Sequence, residues 1–412
     1  MNRYRINQRN NAKRRGSLLP AIAIALLAVG SAAGLVLNRL WIDAAEVELH
    51  NAAQASALAA AGEFLGDHLL VSEVDYDLIV AQAKQRAVLV ALANRVAGSP
   101  VELNLEDDSD VYFGYKHFDS ESGDSVFLES NSQAKAVVVR AQRSQKLGNP
   151  LRLFLAGVTK RSTADVLVYS EVSFDNLIDH FRPIRSLHIP ALPMGILASD
   201  ENGNRTDTWH IQITQKQGAD NFRFDEQTHE VVAGSDGIIE MVLHSVPLNT
   251  DPLFSNVQLL DFNNDLGDQQ LSKQILNGLN QADLESLDGV MPAQKTFSIA
   301  GTSNITTPLQ LSLESQIGQQ RLCLLYTKQE PITIPGWSTL QCQGVVAIRI
   351  MKVIPESGES ATIIVQPTVL VTKTAALARY TARDRSGQYN TSINPADLFS
   401  ENPFVYKMFV SR

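Results

Sequence analysis

Residues 17–37 read SLLPAIAIALLAVGSAAGLVL, 21 residues without a charge. Six basic residues (Arg3, Arg5, Arg9, Lys13, Arg14 and Arg15) precede them, with no acid among them. At a rise of about 1.5 Å per residue, a helix of this length covers the roughly 30 Å hydrocarbon core of a bilayer. A helix also satisfies every backbone polar group within its own segment, as lipid requires. Pro20 falls in the first turn, where a missing N–H costs little. Trp41 follows the run at the depth of interfacial aromatic anchors, and the basic entry predicts a cytoplasmic N-terminus. The expected organisation is a basic segment over 1–16 and a transmembrane helix over 17–40. A cleaved secretory signal is the competing reading. It is normally shorter in its apolar region, although Ser31-Ala32-Ala33 offers a small-residue cleavage site.

Outward from the span, WIDAAEVELHNAAQASALAAAGEFLGD continues without a helix breaker to about Gly66. Ala, Leu and Glu favour helix, and Gly66-Asp67 is a reasonable stop. The transmembrane helix is therefore expected to continue as a stalk. Gly30 and Gly34 form a GxxxG inside the span, a spacing that lets two helices approach closely. The alternative is that Gly and Ala are simply frequent in such helices.

Composition limits the partners. Residues 1–42 carry seven Lys or Arg and no acid, while the whole chain carries −9, so residues 43–412 carry −16. An acidic exported body argues against nucleic acid and against anionic lipid as its partners. Cys323 and Cys342 are the only cysteines, with no CxxC and no His cluster beside them, so zinc is not expected. A disulfide between them would close a loop of about 19 residues and contribute on the order of 3 kcal/mol. Two buried thiols are the other reading.

Beyond the stalk, Asp75–Val96 shows helical spacing and should pair with it as a hairpin. The period then changes to two. Val111–Tyr115, Ala134–Ala141, Leu151–Ala156 and Ala164–Phe174 read as strands, giving a small α+β module over 41–182. A proline-rich connection is expected over 183–196. A mainly-β region follows over 197–412. TWHIQIT, FRFD, HEVVAG and GIIEMVLHSV are its first strands, a helical interlude spans about Asp268–Leu287, and KTFSIAG, RLCLLYT, GVVAIRIMKVI and ATIIVQPTVLV are its last. The fold class is thus α+β.

Chemistry is sparse. No GxSxG, HExxH, Walker-type GxxxxGK[ST] or GxGxxG after a strand occurs. Asp261-x-Asn263-x-Asp265 begins like a calcium loop, but Leu266 stands for the required Gly and Ser272 for the bidentate Glu. Glu106, Asp107, Asp108 and Asp110 form an acidic loop, and Asp200–Asn204 reads as a turn. No enzyme activity, cofactor or metal is expected.

The order of these segments resembles the TadG-like members of the TadE/TadG family in bacterial tight-adherence (Flp) pilus systems. The resemblance runs from Arg14-Arg15-Gly16 through VELHNAAQASALAAAGEFL (Val47–Leu65), Ala93-Asn94, GSPVEL (Gly98–Leu103), Asp110–Gly114 and Ala136–Arg143 to GNPLRLFLA (Gly148–Ala156). IPALPMGI (Ile189–Ile196), Gln274–Gly289, Gly344–Val353 and Ile363–Leu377 look like the larger, planctomycete-type members. The resemblance implies a structural or pseudopilin-like protein of the inner membrane. Its body would lie outside the cytoplasm, and its helix would contact other pilus-assembly proteins or a second copy. Related pilins are cut after a Gly with Glu fifth after the cut. Gly16 and Ser17 stand at that site, but the fifth residue is Ala21 and no Glu precedes Glu46, so the helix is expected to remain uncut. The alternative function is an anchored module binding a glycan, calcium or a surface partner, with Trp209, Trp337 and Tyr380 as contact aromatics.

Overall fold

The computed structural model describes residues 18–378 and 400–411, except 107–108, 119–124, 155, 157–160, 201, 247–250 and 264–266. A single helix, α1, runs without interruption over Leu18–Phe64. At about 1.5 Å per residue its 47 residues span about 70 Å. Its two halves live in different surroundings. From Leu18 to Ala33 no residue is buried. The buried positions begin at Gly34 and Asn38 and continue as Ala45, Leu49, Ala52, Ala53, Ser56, Ala57, Ala60, Ala61 and Phe64. Steps of three and four residues place them on one stripe. Most are Ala, so the partners approach closely. One apolar N-terminal helix is thus followed by a mixed α+β region and a β-rich C-terminal portion.

The second helix, α2, spans Tyr76–Ala93 and runs back along α1. Asp75 caps it, accepting from Leu78 N at 3.0 Å. Ile79, Val80, Ala83, Ala87 and Ala91 form its buried stripe. A two-strand turn over Arg95–Pro100 then reverses the chain, with Ala97 and Gly98 both at positive φ. The helix pair covers one face of a six-stranded sheet. In order its strands are Leu370–Val371, Val405–Val410, Val166–Asp175, Ala136–Arg143, Val111–Phe118 and Ser125–Glu129. All neighbours are antiparallel except the first pair. Phe64 closes this core, with its ring centroid 5.2 Å from Phe113 and 5.4 Å from Phe174.

The second sheet closes on itself. Ala191–Leu197 pairs with Val257–Leu260, which pairs with Phe297–Thr302. That strand pairs with the long strand Trp337–Glu356, which pairs with Gln320–Pro331, and this returns in parallel to Ala191–Leu197. Beyond the ring, Trp337–Glu356 continues to pair with Ser360–Pro367, and that strand with Met241–His244. One face carries Leu260, Ile299, Tyr326, Leu340 and Cys342. The other carries Met194, Leu259, Cys323, Val346 and Ile348 and packs against the helices Asp268–Asn277 and Thr307–Glu314. The Tyr326 face packs instead against Leu284 of the segment after Gly278 and against Ile178, Phe181 and Met291.

Several segments depart from the sequence expectation. Ala191–Leu197 is a fully buried strand, not an extended connection. Pro193 fits there because it falls where the register to the parallel neighbour shifts. TWHIQIT is a helical turn over His210–Thr214, not a strand. Its alternation misleads, because Trp209 and Ile213, four apart, are the residues that go inward. Strand pairing in LRLFLA stops at Arg152. The helical interlude is broken at Gly278, with φ at 80°, into Asp268–Asn277 and a 3-10 turn over Ala282–Leu287. The segment 197–412 is not confined to the second sheet, since its last strand, Val405–Val410, pairs with Val166–Asp175.

Candidate functional site on the apolar N-terminal helix

Among the described residues, no packing explains the first half of α1. Leu18, Leu19, Ile22, Ile24, Leu26, Leu27 and Val29 are all exposed. A soluble monomer rarely displays a contiguous apolar surface of this kind. Together with its length and lack of charge, it makes this segment membrane-compatible. Gly30 lies within it, and a side chain there would meet nothing within 4 Å. Gly34 lies one turn on and is buried. The GxxxG pair therefore straddles the edge of the folded body. Gly16 and Ser17 lie outside the described residues, as do the six leading basic residues.

At that edge a short hairpin, Leu151–Arg152 paired with Thr163–Ala164, reaches α1. Asn38 Oδ1 accepts from Phe154 N at 3.0 Å, and Trp41 Nε1 donates to the Arg152 carbonyl at 3.1 Å. The Trp41 and Phe154 rings lie 5.1 Å apart. Just past the C-terminal end of α1, Asp67 begins a 3-10 turn over Asp67–Leu70 and ties α1 to the second sheet. It accepts from Arg349 Nη2 at 2.9 Å, Thr368 Oγ1 at 2.6 Å and Val369 N at 2.8 Å. Arg349 also donates to the Gly318 carbonyl at 2.7 Å, and its guanidinium carbon sits 3.7 Å from the Phe224 ring centroid. Sequence reasoning passed over Asp67 and Arg349, and the only available signal was the helix stop at Gly66-Asp67.

The remaining candidates have structural explanations. Cys323 and Cys342 are free thiols. Cys323 stands opposite Val346 and Cys342 opposite Tyr326, on opposite faces of the same strand pair, so no disulfide joins them. Burial pushes the Cys342 thiol up to about 12 and the Cys323 thiol higher still. Trp209 packs edge-on against Phe404 at 5.6 Å and is not available as a surface contact. Trp337 is partly exposed, and Tyr380 lies outside the described residues. Asp265 and Leu266 of the calcium-like stretch also lie outside them, as do Asp107 and Asp108. Asp110 is fully buried, bonded to Arg140 Nε at 2.7 Å and to Asn104 N at 2.8 Å. Asp200 accepts from the backbone of Asn202, Asn204 and Arg205, as a turn residue does, and those bonds hold its carboxyl low.

Among the described residues, Asp236 and Glu240 are the carboxyls raised above their ordinary range, first by burial and then by repulsion from Asp220. Each is occupied by hydrogen bonds. Glu240 accepts from Asn221 N and Phe222 N, Asp236 from Gln366 Nε2 and Ile238 N, and Asp220 from Asp236 N and Gly237 N. They staple a turn. His244 Nδ1 lies 3.0 Å from Thr362 Oγ1, but that hydroxyl donates to Glu356, so the imidazole is the donor to it and no activated nucleophile results. Among the described residues no group of three or more His, Cys, Asp or Glu is placed to hold a metal. No family model, curated protein or solved structure matches the chain.

Proposed function

We propose that this protein is a membrane-anchored, non-enzymatic assembly or structural protein of the bacterial envelope, a pseudopilin-like component of a tight-adherence (Flp) pilus system. In this reading the N-terminus faces the cytoplasm, the helix over residues 17–40 crosses the inner membrane, and the acidic body projects outward. The helix contacts lipid, other pilus-assembly proteins or a second copy. One observation carries the reading: a single helix whose first half is apolar and bare while its second half is the central packing element of a folded module. A secretory leader has no reason to be continuous with such an element, whereas an anchor that positions a body does. The pilus assignment rests on the sequence resemblance, and the helix geometry is compatible with it.

The intact mass of the protein purified from membranes tests the anchor. A full-length mass is expected. A mass beginning at Ser17 would indicate pilin-type processing and move the protein into the fibre. A mass beginning near Gly34 would make it a secreted body and end the proposal. Photo-crosslinkers at Ile24 and Leu27, on the exposed surface of α1, should capture a helical membrane protein or a second copy. Crosslinks to lipid alone would remove the assembly role.

A further inference from the structure

A two-stranded hairpin, Phe222–Asp225 paired with Glu230–Ala233, belongs to neither main sheet. Such a ribbon is marginal by itself in water, so the contacts that hold it down decide where it lies. Its Phe224 ring covers the Arg349 guanidinium at 3.7 Å, and a side chain on Gly318 would meet that ring at 3.1 Å. Gln366 Nε2 donates to the Phe222 carbonyl at 3.4 Å. The hairpin thus lies over the Asp67–Arg349 pair, which joins α1 to the second sheet. The link between α1 and α2 touches both flanks of the same hairpin. Lys216 Nζ donates to Ser72 Oγ at 2.7 Å, and a side chain on Gly237 would meet Val71 at 3.5 Å.

Three carboxylates tie the base of this hairpin. Glu240 is 2% exposed and accepts from Asn221 N at 3.0 Å and from Phe222 N. Asp220 accepts from Asp236 N at 3.1 Å and Gly237 N at 2.9 Å, and Asp236 from Gln366 Nε2 at 3.0 Å. Each of these donors is a neutral amide. The elements packed around the base do not balance its charge. Asp67, from the link, adds a fourth carboxylate, and Arg349 is paired with it. Arg321 on the neighbouring strand donates to Gln316 and to the Leu276 carbonyl. Arg223, Asp225, Glu226, His229 and Glu230 of the hairpin, His68 and Glu73 of the link, and Lys352 of the long strand make no hydrogen bond or ion pair with the three among the described residues. Burial and mutual repulsion raise Glu240 and Asp236 above their ordinary values. Lifting the hairpin returns both to water, so the closed form binds protons more readily than the open one.

We propose that the hairpin is a pH-dependent latch on the joint between α1 and the second sheet. It is closed when Glu240 or Asp236 carries a proton and loosened when all three carboxylates at its base are ionised. A carboxyl raised in the closed form stabilises that form fully below its open-form value, and the contribution is lost as pH rises through the closed-form value. The window therefore begins at 3.8 for Asp236 and 4.5 for Glu240 and extends upward. Loosening admits water to the Asp67–Arg349 pair, and an ion pair in water is worth little. The charge at the base of the hairpin is thereby passed on to the seat of α1. The latch is independent of the anchor reading.

The test measures distances between spin labels on the full chain in mild detergent. The pair Gly62→Cys with Thr228→Cys reads the hairpin against α1. The pair Gly62→Cys with Leu311→Cys reads α1 against the helix Thr307–Glu314, which packs on the second sheet. Thr228 and Leu311 are exposed, and a side chain at Gly62 meets nothing within 4 Å. Cys323 and Cys342 are buried and do not compete for label. Between about pH 5 and about pH 8, the long-distance component of the first pair should grow several-fold, and the second distribution should broaden with it. Glu240→Gln keeps an oxygen for Asn221 N and Phe222 N but carries no charge, so both distributions should stay narrow across that range. Asp220→Asn, at a half-buried position, should shrink the response as well and decides the matter where Glu240→Gln does not fold. Distributions that ignore pH, or a response unaltered by removing either charge, overturn the proposal. A hairpin that moves while the second pair stays narrow shows that it does not latch the joint, and overturns the proposal too.

Discussion

Asp67 and Arg349 are 282 residues apart in sequence and 2.9 Å apart in space, and their ion pair joins the end of α1 to the long strand of the second sheet. Arg349 is almost wholly buried, and its remaining contacts are the Gly318 carbonyl and the Phe224 ring. Removing one partner of a buried pair leaves an uncompensated charge, which typically costs about 3–5 kcal/mol. Asp67 keeps some exposure, so the lower end applies. Asp67→Ala should lower unfolding stability by roughly 3 kcal/mol, while D67L/R349M should recover part of the loss. Urea unfolding in mild detergent measures both. A change under about 0.5 kcal/mol, the usual range for surface substitutions, would sink the claim that this pair fastens α1 to the sheet.

Glu171 fastens the chain end. It accepts from Lys116 Nζ at 2.6 Å, Ser411 Oγ at 2.6 Å and Ser173 Oγ at 3.1 Å, and its backbone carbonyl accepts from Ser411 N at 3.0 Å. Burial opposes its charge, but the bonds from Lys116 and the two serines outweigh it and hold the carboxyl below its usual value of 4.5. A carboxylate lowered by folding stabilises fully above the unfolded value, and that contribution is lost as pH falls through the folded one. Thermal stability should therefore drop as pH falls below about 4.5, and Glu171→Gln should be less stable at neutral pH with a flatter acid limb. Identical pH profiles for the two proteins would refute the assignment.

The contrast between these two fasteners and α1 explains what could be read from the chain. The helix was legible because its signal is local: an uninterrupted apolar run, then a small-residue stripe at helical spacing. The strands of the first module were legible for the same reason, and Val137, Val139, Val172 and Phe174 face the core as period two requires. Closure of the second sheet was not legible, because Trp337–Glu356 pairs on both edges with strands on either side of it in sequence. Val405–Val410 was missed because its register is set by a partner 230 or so residues earlier, at Val172–Asp175. Asp67 looks like a helix stop in sequence, and only the fold brings Arg349 to it.

The two cysteines offer a test of the ring itself. Cys342 lies on the sheet face beside Tyr326, and Cys323 on the face that packs against the two helices. Neither thiol should react with maleimide in the native protein at pH 8, both should react after denaturation, and reductant should leave the intact mass unchanged. Above the unfolded thiol value of 9, the unfolded chain ionises first, so stability present below pH 9 should be lost as pH rises towards 12. Rapid native labelling, or a mass gain of about two on reduction, would place the strands differently.

Gly30 and Gly34 separate two roles that the GxxxG spacing alone assigns equally. A side chain at Gly30 meets open space, whereas Gly34 is already covered by the folded body. Gly30→Leu should leave the unfolding midpoint within the roughly 0.5 kcal/mol typical of surface sites. If α1 associates through this surface, it should also reduce crosslinking between chains. Gly34→Leu inserts a side chain into a packed position, for which about 1–3 kcal/mol of destabilisation is usual, so any loss of crosslinking in that variant should track the loss of folded protein. Measuring unfolding and crosslinking in parallel on both variants distinguishes the two. Equal destabilisation would mean that Gly30 is covered by the body as well, and unchanged crosslinking in Gly30→Leu would mean that the small-residue surface is not where the helices meet.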